Sequence, residues 1–270
     1  MALTNLQRAI CQLIAQNRID SGESYVAGGV ALNEALAAPR VSRDIDLFHD
    51  TNDALDATWA ADRALLEQAG FQFEVIREVR GFVQALVRGL GDSVKMEWVR
   101  DSAYRFFPLR LDATLGVTLH PFDLATNKVL ALVGRLEVRD WVDAIEIHDR
   151  IQPIGYLAWA ACGKDPGFSP SSILEFAARS HYSSDEVSQL AFAGPAPSAH
   201  ELSSRWRAMI EEARTIVGTL PALHAGKAVL ASSGELFRDQ PDRLRESLSA
   251  GHVRFHEGCI RGALPTVLPG

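Results

Sequence analysis

Between Tyr25 and Phe48 the chain reads YVAGGVALNEALAAPRVSRDIDLF. Two adjacent glycines precede a short apolar run, and two aspartates, Asp44 and Asp46, stand one residue apart inside a second apolar run. In a strand, alternate side chains share a face. Ser42, Asp44, Asp46 and Phe48 then point one way, and Arg43, Ile45 and Leu47 the other. Two close carboxylates repel each other or share a proton unless a cation stands with them. Magnesium takes a few carboxylates together with phosphate oxygens and water. Two-metal phosphoryl sites hold their ions about 3.5–4 Å apart, a span that such a pair can bridge. Taken alone, Asp-x-Asp more often describes an exposed strand end whose acids are solvated or paired to Arg40 or Arg43.

The upstream context decides between these readings. Ser24 to Ala27 reads as a short strand running into Gly28 and Gly29, with a helix from Val30 to about Ala37. Glycine lets backbone amides approach a phosphate without side-chain interference, and a helix N-terminus favours an anion. The spacing is neither GxGxxG nor GxxxxGK[ST], so it signals neither a Rossmann nor a Walker site. Pro39 ends the helix, and Arg43 to Phe48 reads as the next strand.

A Gly-Gly turn, one short helix, a loop and Asp-x-Asp on the following strand is the arrangement of the polymerase-beta-like nucleotidyltransferase superfamily. More narrowly, GGVALNEALAAPRVSRDIDLF resembles the AbiEii/AbiGii toxin-type nucleotidyltransferases, through Gly28, Gly29, Arg40, Ser42, Asp44, Ile45, Asp46, Leu47 and Phe48. The resemblance implies a third carboxylate on a later strand. SVKMEWV offers Glu97, with Val94, Met96 and Trp98 alternating toward a core and Lys95 beside Glu97 on the other face. A second resemblance lies in FDLATNKVLALVGRLEVRDWVDAIEI, where Lys128, Arg135, Arg139, Asp140 and Asp143 fit the toxin family's pattern. On a continuous helix, Lys128, Arg135, Arg139 and Asp143 would fall on one side, where three cations could meet a triphosphate.

The resemblance therefore implies Asp44, Asp46 and Glu97 as catalytic and metal-binding acids. It also implies Gly28, Gly29, Ser42, Lys128, Arg135 and Arg139 as nucleotide-binding residues, with Lys95, Asp140 and Asp143 supporting them. It implies one or two magnesium ions, a nucleoside triphosphate (ATP, for example) as substrate, and an RNA such as tRNA, or a protein, as acceptor. A cognate antitoxin would be the partner. Two other readings keep the fold: transfer to a small molecule, as in aminoglycoside nucleotidyltransferases, or a degenerate member that binds a nucleotide or a protein without catalysis.

The rest of the chain bounds these expectations. Asn5 to Asn17 forms an amphipathic helix, with Leu3, Leu6, Ile10, Leu13 and Ile14 on one stripe. Asp53 reads as the cap of a helix that ends at Gly70, and strands follow at Phe71 to Glu78, Phe82 to Gly89 and Ser93 to Val99. Phe122 to Arg150 is a long helical tract with a break near Gly134, and the patterns beyond Pro153 are mainly helical, with KAVLASSGELF a candidate strand pair. The expected fold is α+β: a nucleotidyltransferase domain with a small mixed sheet flanked by helices over residues 1–150, and a mainly helical domain over 151–270, with a border between Leu119 and Gln152. Three scattered cysteines suggest reduced thiols and no disulfide framework. No apolar run reaches the roughly 18 residues of a membrane span, and the N-terminus lacks a signal-peptide pattern, so a cytoplasmic protein is expected. The net charge of −7 argues against a general DNA binder. The five tryptophans sit on apolar stripes and are expected in the core.

Overall fold

The computed structural model describes residues 3–266. The elements are, in chain order, α1 (Asn5–Ser21), β1 (Ser24–Ala27), α2 (Gly28–Leu36), β2 (Asp44–His49), α3 (Asn52–Gln68), β3 (Gln72–Val79), β4 (Phe82–Gly89), β5 (Asp92–Arg100) and β6 (Tyr104–Arg105). They continue with β7 (Arg110–Asp112), β8 (Gly116–Thr118), α4 (Pro121–Arg135), α5 (Val138–Arg150), α6 (Ile154–Ala161), α7 (Pro170–Ala177), α8 (Ser184–Ser188) and α9 (Ala199–Thr219). The last are β9 (Ala228–Ala231), α10 (Pro241–Ser249), β10 (Val253–His256) and β11 (Cys259–Ile260). Two compact units result. The first takes the chain up to Ala103 with Leu109–His120 and Phe192–Gly194; the second takes Tyr104–Pro108, Pro121–Ala191 and the chain from Pro195 on. Helices α4 and α5 thus group with the second unit, and the chain's contacts divide near residue 120, at the start of the border region Leu119 to Gln152.

The first unit is built on one seven-stranded mixed sheet of order β3-β4-β5-β2-β1-β8-β7. Strand β2 pairs antiparallel with β1 and parallel with β5. The alternation expected for β2 is realised: Ile45 and Leu47 are fully buried. Their neighbours in register on β5, Met96 and Trp98, are buried on the same side. Helices α1 and α3 pack on each other and on β5. The ends of α1 are specified locally. Thr4 and Gln7 form a reciprocal capping box, and Gly22 closes the helix at φ 62°. The cap of α3 is Thr51, which accepts from the Ala54 amide, and Asp53 lies in the first turn.

Beneath this face lies a polar group that apolar periodicity does not signal. Asp62 of α3 accepts hydrogen bonds from Arg18 on both carboxylate oxygens, from Asn17 at 2.7 Å and from Trp98 Nε1 at 2.9 Å. His49, one residue beyond the strand read as Arg43 to Phe48, is the buried last residue of β2. Its Nδ1 contacts the Val99 carbonyl at 3.3 Å and its Nε2 the Thr58 hydroxyl at 2.6 Å. Burial outweighs the backbone acceptors and pushes the imidazole pKa down to about 4. The unfolded chain therefore binds a proton between pH 6.5 and 4 that the folded chain refuses, and stability falls as pH drops through that window. The expected loss is at most about 3 kcal/mol, from 1.36 kcal/mol per pKa unit. Urea unfolding of the wild type and His49→Gln at pH 7 and about pH 4.5 checks this: the variant should lose less stability across the interval.

The second unit is mainly helical. Its core gathers Tyr156, Trp159, Ile216, Leu220, Val229, Phe237 and Leu244. All five tryptophans of the chain are buried. Two expectations change here. The break expected near Gly134 falls two residues later, at Leu136, which takes a left-handed conformation at φ 51°, so α4 stops at Arg135 and α5 starts at Val138. Gly134 lies inside α4 and does not make the break. The strand pair expected in KAVLASSGELF is limited to one bridge, Leu230 to Leu236, and β9 takes its full pairing from β10. Among the described residues no helix is long and apolar enough to cross a membrane.

Candidate active site

Strand β1 turns into α2 at Gly28, where φ is +63°. The helix begins at Gly28, two residues earlier than the periodicity of its apolar residues indicates. Ala27 lies opposite Asp46 in the antiparallel register, so the turn begins beside that acid. A β-carbon added at Gly28 would stand 1.7 Å from Asp46 Oδ2. One added at Gly29 would meet Ser42 Oγ at 2.7 Å and an Arg40 guanidinium nitrogen at 2.9 Å. The two glycines are thus the positions at which Asp46, Ser42 and Arg40 close on the first turn of α2. Its N-cap, Ala27, has no side-chain oxygen to cap that turn.

This packing makes the two glycines unequal. Gly28→Ala must adopt a left-handed φ and push Asp46 aside, whereas Gly29→Ala meets the ends of two side chains. Gly28→Ala is expected to cost roughly 2 kcal/mol or more from its conformation and displaced neighbour. Gly29→Ala should cost less. Urea unfolding of both variants makes the comparison, and equal losses would refute the assigned packing.

The loop between α2 and β2 is held by side chains that motif reading does not single out. Gln7 Nε2 donates to the Ser42 carbonyl at 2.8 Å, and Asn33 Nδ2 donates to the Arg40 carbonyl at 2.8 Å. Both amides are buried on helix faces that, Arg18 apart, otherwise carry apolar residues. That polar interruption of an apolar stripe is the sequence signal that could have found them. Arg40 and Ser42 are themselves nearly buried.

The parallel register of β2 and β5 places Asp44 beside Lys95 and Asp46 beside Glu97. With Ile45, Leu47, Met96 and Trp98 buried behind the sheet, the three acids and the lysine share its other face. Lys95 Nζ stands 3.3 Å from Asp44 Oδ2 and 3.2 Å from Glu97 Oε1. Gln84, opposite Glu97 on β4, donates to the same Oε1 at 2.7 Å. Partial burial disfavours the Lys95 charge, but Asp44 and Glu97 outweigh it and hold the ammonium above its ordinary pKa.

Among the described residues no three His, Cys, Asp or Glu side chains are grouped closely enough to hold a metal by themselves. Asp44 and Asp46 nevertheless project carboxylates from alternate positions of one strand, beside a glycine turn with space for no side chain. That donor set fits magnesium of the kind completed by substrate phosphates and water, and does not fit a protein-only cage.

The remaining expected residues lie in the second unit. Lys128 is 7% exposed and pairs with Asp140 at 2.8 Å and Asp143 at 3.1 Å. Arg135 reaches both oxygens of Asp140, at 2.6 and 3.0 Å. Burial opposes the Asp140 charge, yet Arg135 and Lys128 outweigh it and hold the carboxyl below its ordinary range. Arg139 pairs with Glu137. The single cationic stripe does not form, because Leu136 separates Lys128 and Arg135 on α4 from Arg139, Asp140 and Asp143 on α5.

No family model matches the chain, and no curated protein matches it. Solved structures do. A Helicobacter pylori protein described as a candidate nucleotidyltransferase is similar with a TM-score of 0.55 at 15% identity, over 81% of this chain and 99% of its own. JHP933 from Helicobacter pylori gives a TM-score of 0.54 at 14% identity, over 80% of this chain and 95% of its own. MenT4, a nucleotidyltransferase toxin from Mycobacterium tuberculosis H37Rv, gives 0.52 at 18% identity, over 80% and 83%. At these identities the likeness establishes the fold, which is the nucleotidyltransferase fold with a mixed sheet flanked by helices. The share of the chain that is matched exceeds the first unit and extends into the second.

Proposed function

We propose that this protein is a cytoplasmic, magnesium-dependent nucleotidyltransferase that moves a nucleoside monophosphate from a nucleoside triphosphate to an RNA such as tRNA, or to a protein. The observation that carries the reading is the juxtaposition of Asp46 with Glu97 in register and with Gly28 across a gap too small for a β-carbon. Asp44 and Asp46 hold the ion or ions, and Glu97 binds the second ion or accepts the acceptor hydroxyl's proton. The amides of Gly28 and Gly29 receive phosphate oxygens, aided by the positive end of α2. Ser42, beside Gly29, offers its hydroxyl to the same phosphates. Magnesium, when bound, supplies neutralisation of triphosphate charge, and the chain's part is alignment and electrostatics. On the sequence resemblance, Lys128, Arg135 and Arg139 are the cations that assist the departing pyrophosphate. An ammonium has three donors, and Asp140 and Asp143 engage two of those on Lys128.

A toxin role with a cognate antitoxin follows from the AbiEii/AbiGii resemblance, and the similarity to a nucleotidyltransferase toxin supports it. A non-catalytic, nucleotide-binding reading has one observation in its favour: Lys95 already pairs with both Asp44 and Glu97. The test is incubation with each labelled triphosphate, magnesium and either total tRNA, candidate protein acceptors or aminoglycosides. Label on RNA or protein supports the proposal, and label on the drug moves the acceptor to a small molecule. Nucleotide binding without transfer to any acceptor would favour the non-catalytic reading.

A further inference from the structure

The ammonium of Lys95 sits where a cation belongs. Its nitrogen touches Asp44 and Glu97 at near-equal distances, 3.3 and 3.2 Å, and the side chain is 36% exposed, so it can leave without crossing protein. The acids it touches are on neighbouring parallel strands, and the backbone register fixes their separation. Gln84 restrains Glu97 from the far side through the same Oε1 that faces the lysine. Carboxylates held this way face a like-charge penalty that must be relieved before a metal arrives.

From this we propose that Lys95 is an internal counter-ion that competes with the divalent cation for Asp44 and Glu97, and so sets the metal affinity of the site. The inference rests on the functional reading above and adds a positioning role to it: the lysine keeps the acids gathered in the metal-free protein and yields when metal and triphosphate enter together. A flexible single charge is suited to this. An ammonium is a compact point charge on a four-carbon stem, whereas a guanidinium would bind a carboxylate through a two-pronged fork and leave less readily.

The roles of competitor and structural support predict opposite results. Titrating Mn²⁺ into the nucleotide-free protein, with free ion read by electron paramagnetic resonance, reports metal affinity without turnover. Lys95→Met, which keeps the stem and removes the charge, should bind Mn²⁺ about tenfold more tightly than wild type, a shift of ~1.4 kcal/mol. Lys95→Arg should retain weak binding, and adding Asp44→Asn to Lys95→Met should abolish the gain. Circular dichroism and urea unfolding establish that each variant is folded, and Lys95→Gln serves if the methionine variant is not. Unchanged or weaker binding in a folded, charge-removed variant overturns the proposal and leaves the metal-site reading standing. No Mn²⁺ binding in wild type or variant, even with a non-hydrolysable triphosphate added, overturns both.

Discussion

Asparagine in place of Asp44 or Asp46 is expected to lower nucleotidyl transfer by at least about a thousandfold while the protein stays folded. A thousandfold loss is ~4 kcal/mol of transition-state stabilisation at 1.36 kcal/mol per decade, within what a positioned divalent ion contributes. The substitution keeps the volume and one oxygen, so neither Ile45 nor Leu47 need move. What changes is charge. Asp44→Asn removes one of the two negative partners of Lys95, and Asp46→Asn leaves a neutral amide facing Gly28. The strand carrying the two acids, β2, is held by backbone pairing on both sides and by the buried face behind, none of which involves the carboxylates. Single-turnover transfer assays with the acceptor that the labelling test identifies, beside urea unfolding, separate the two effects. Turnover within about tenfold of wild type in a folded Asp46→Asn protein would remove that acid from the site. Glu97→Gln has a different signature under the same assay. If the acid takes the acceptor's proton, the loss shrinks as pH rises toward the acceptor's own ionisation; if it holds metal, added Mn²⁺ recovers activity.

The parts of this architecture that follow from period and turn chemistry are legible in the sequence. The β2 alternation DIDLFH and the β5 alternation VKMEWV each fix an inner and an outer face, and pairing the strands brings Asp46 beside Glu97. Gly-Gly before an apolar helix and Pro39 after it bound α2, although its start lies at Gly28 and not at Val30. Other features escape because no local period encodes them. Leu136 is an ordinary helix former that adopts a left-handed conformation only in its tertiary setting, and with it the expected stripe of Lys128, Arg135 and Arg139 divides between two helices. Gln7, Asn33 and Asp62 are polar residues on buried helix surfaces. Helical periodicity cannot assign them partners, because the Ser42 carbonyl, the Arg40 carbonyl and the Arg18 guanidinium are set by the fold. Strand β10 is equally hidden: VRFH is too short to declare itself, and it pairs with β9 across the intervening α10.

Asp62 is where a single substitution should cost the most stability. Arg18 and Asp62 are both fully excluded from solvent, and Asp62 also accepts from Asn17 and Trp98. Two further Arg18 nitrogens, Nε and Nη1, are buried with no hydrogen-bond partner among the described residues. The guanidinium therefore depends on this one carboxylate for its compensation. Asp62→Ala leaves a buried, uncompensated cation, and breaking such a pair typically costs about 3–5 kcal/mol. That is a large fraction of the roughly 5–15 kcal/mol by which folded domains exceed their unfolded state. Removing both charges is a different experiment. Arg18→Met with Asp62→Leu deletes the desolvation cost of two ions and leaves the Trp98 N–H unpaired, a penalty of about 1–3 kcal/mol. The double variant should therefore be more stable than Asp62→Ala despite carrying more changes. Urea unfolding of Arg18→Met, Asp62→Leu and their double gives the coupling, and losses that simply add would mean that the pair contributes nothing as a pair. The acids on the opposite face of the sheet depend on this result. Trp98 follows Glu97 on β5, so a core that loosens around the indole also frees the strand that presents Glu97 to Asp46.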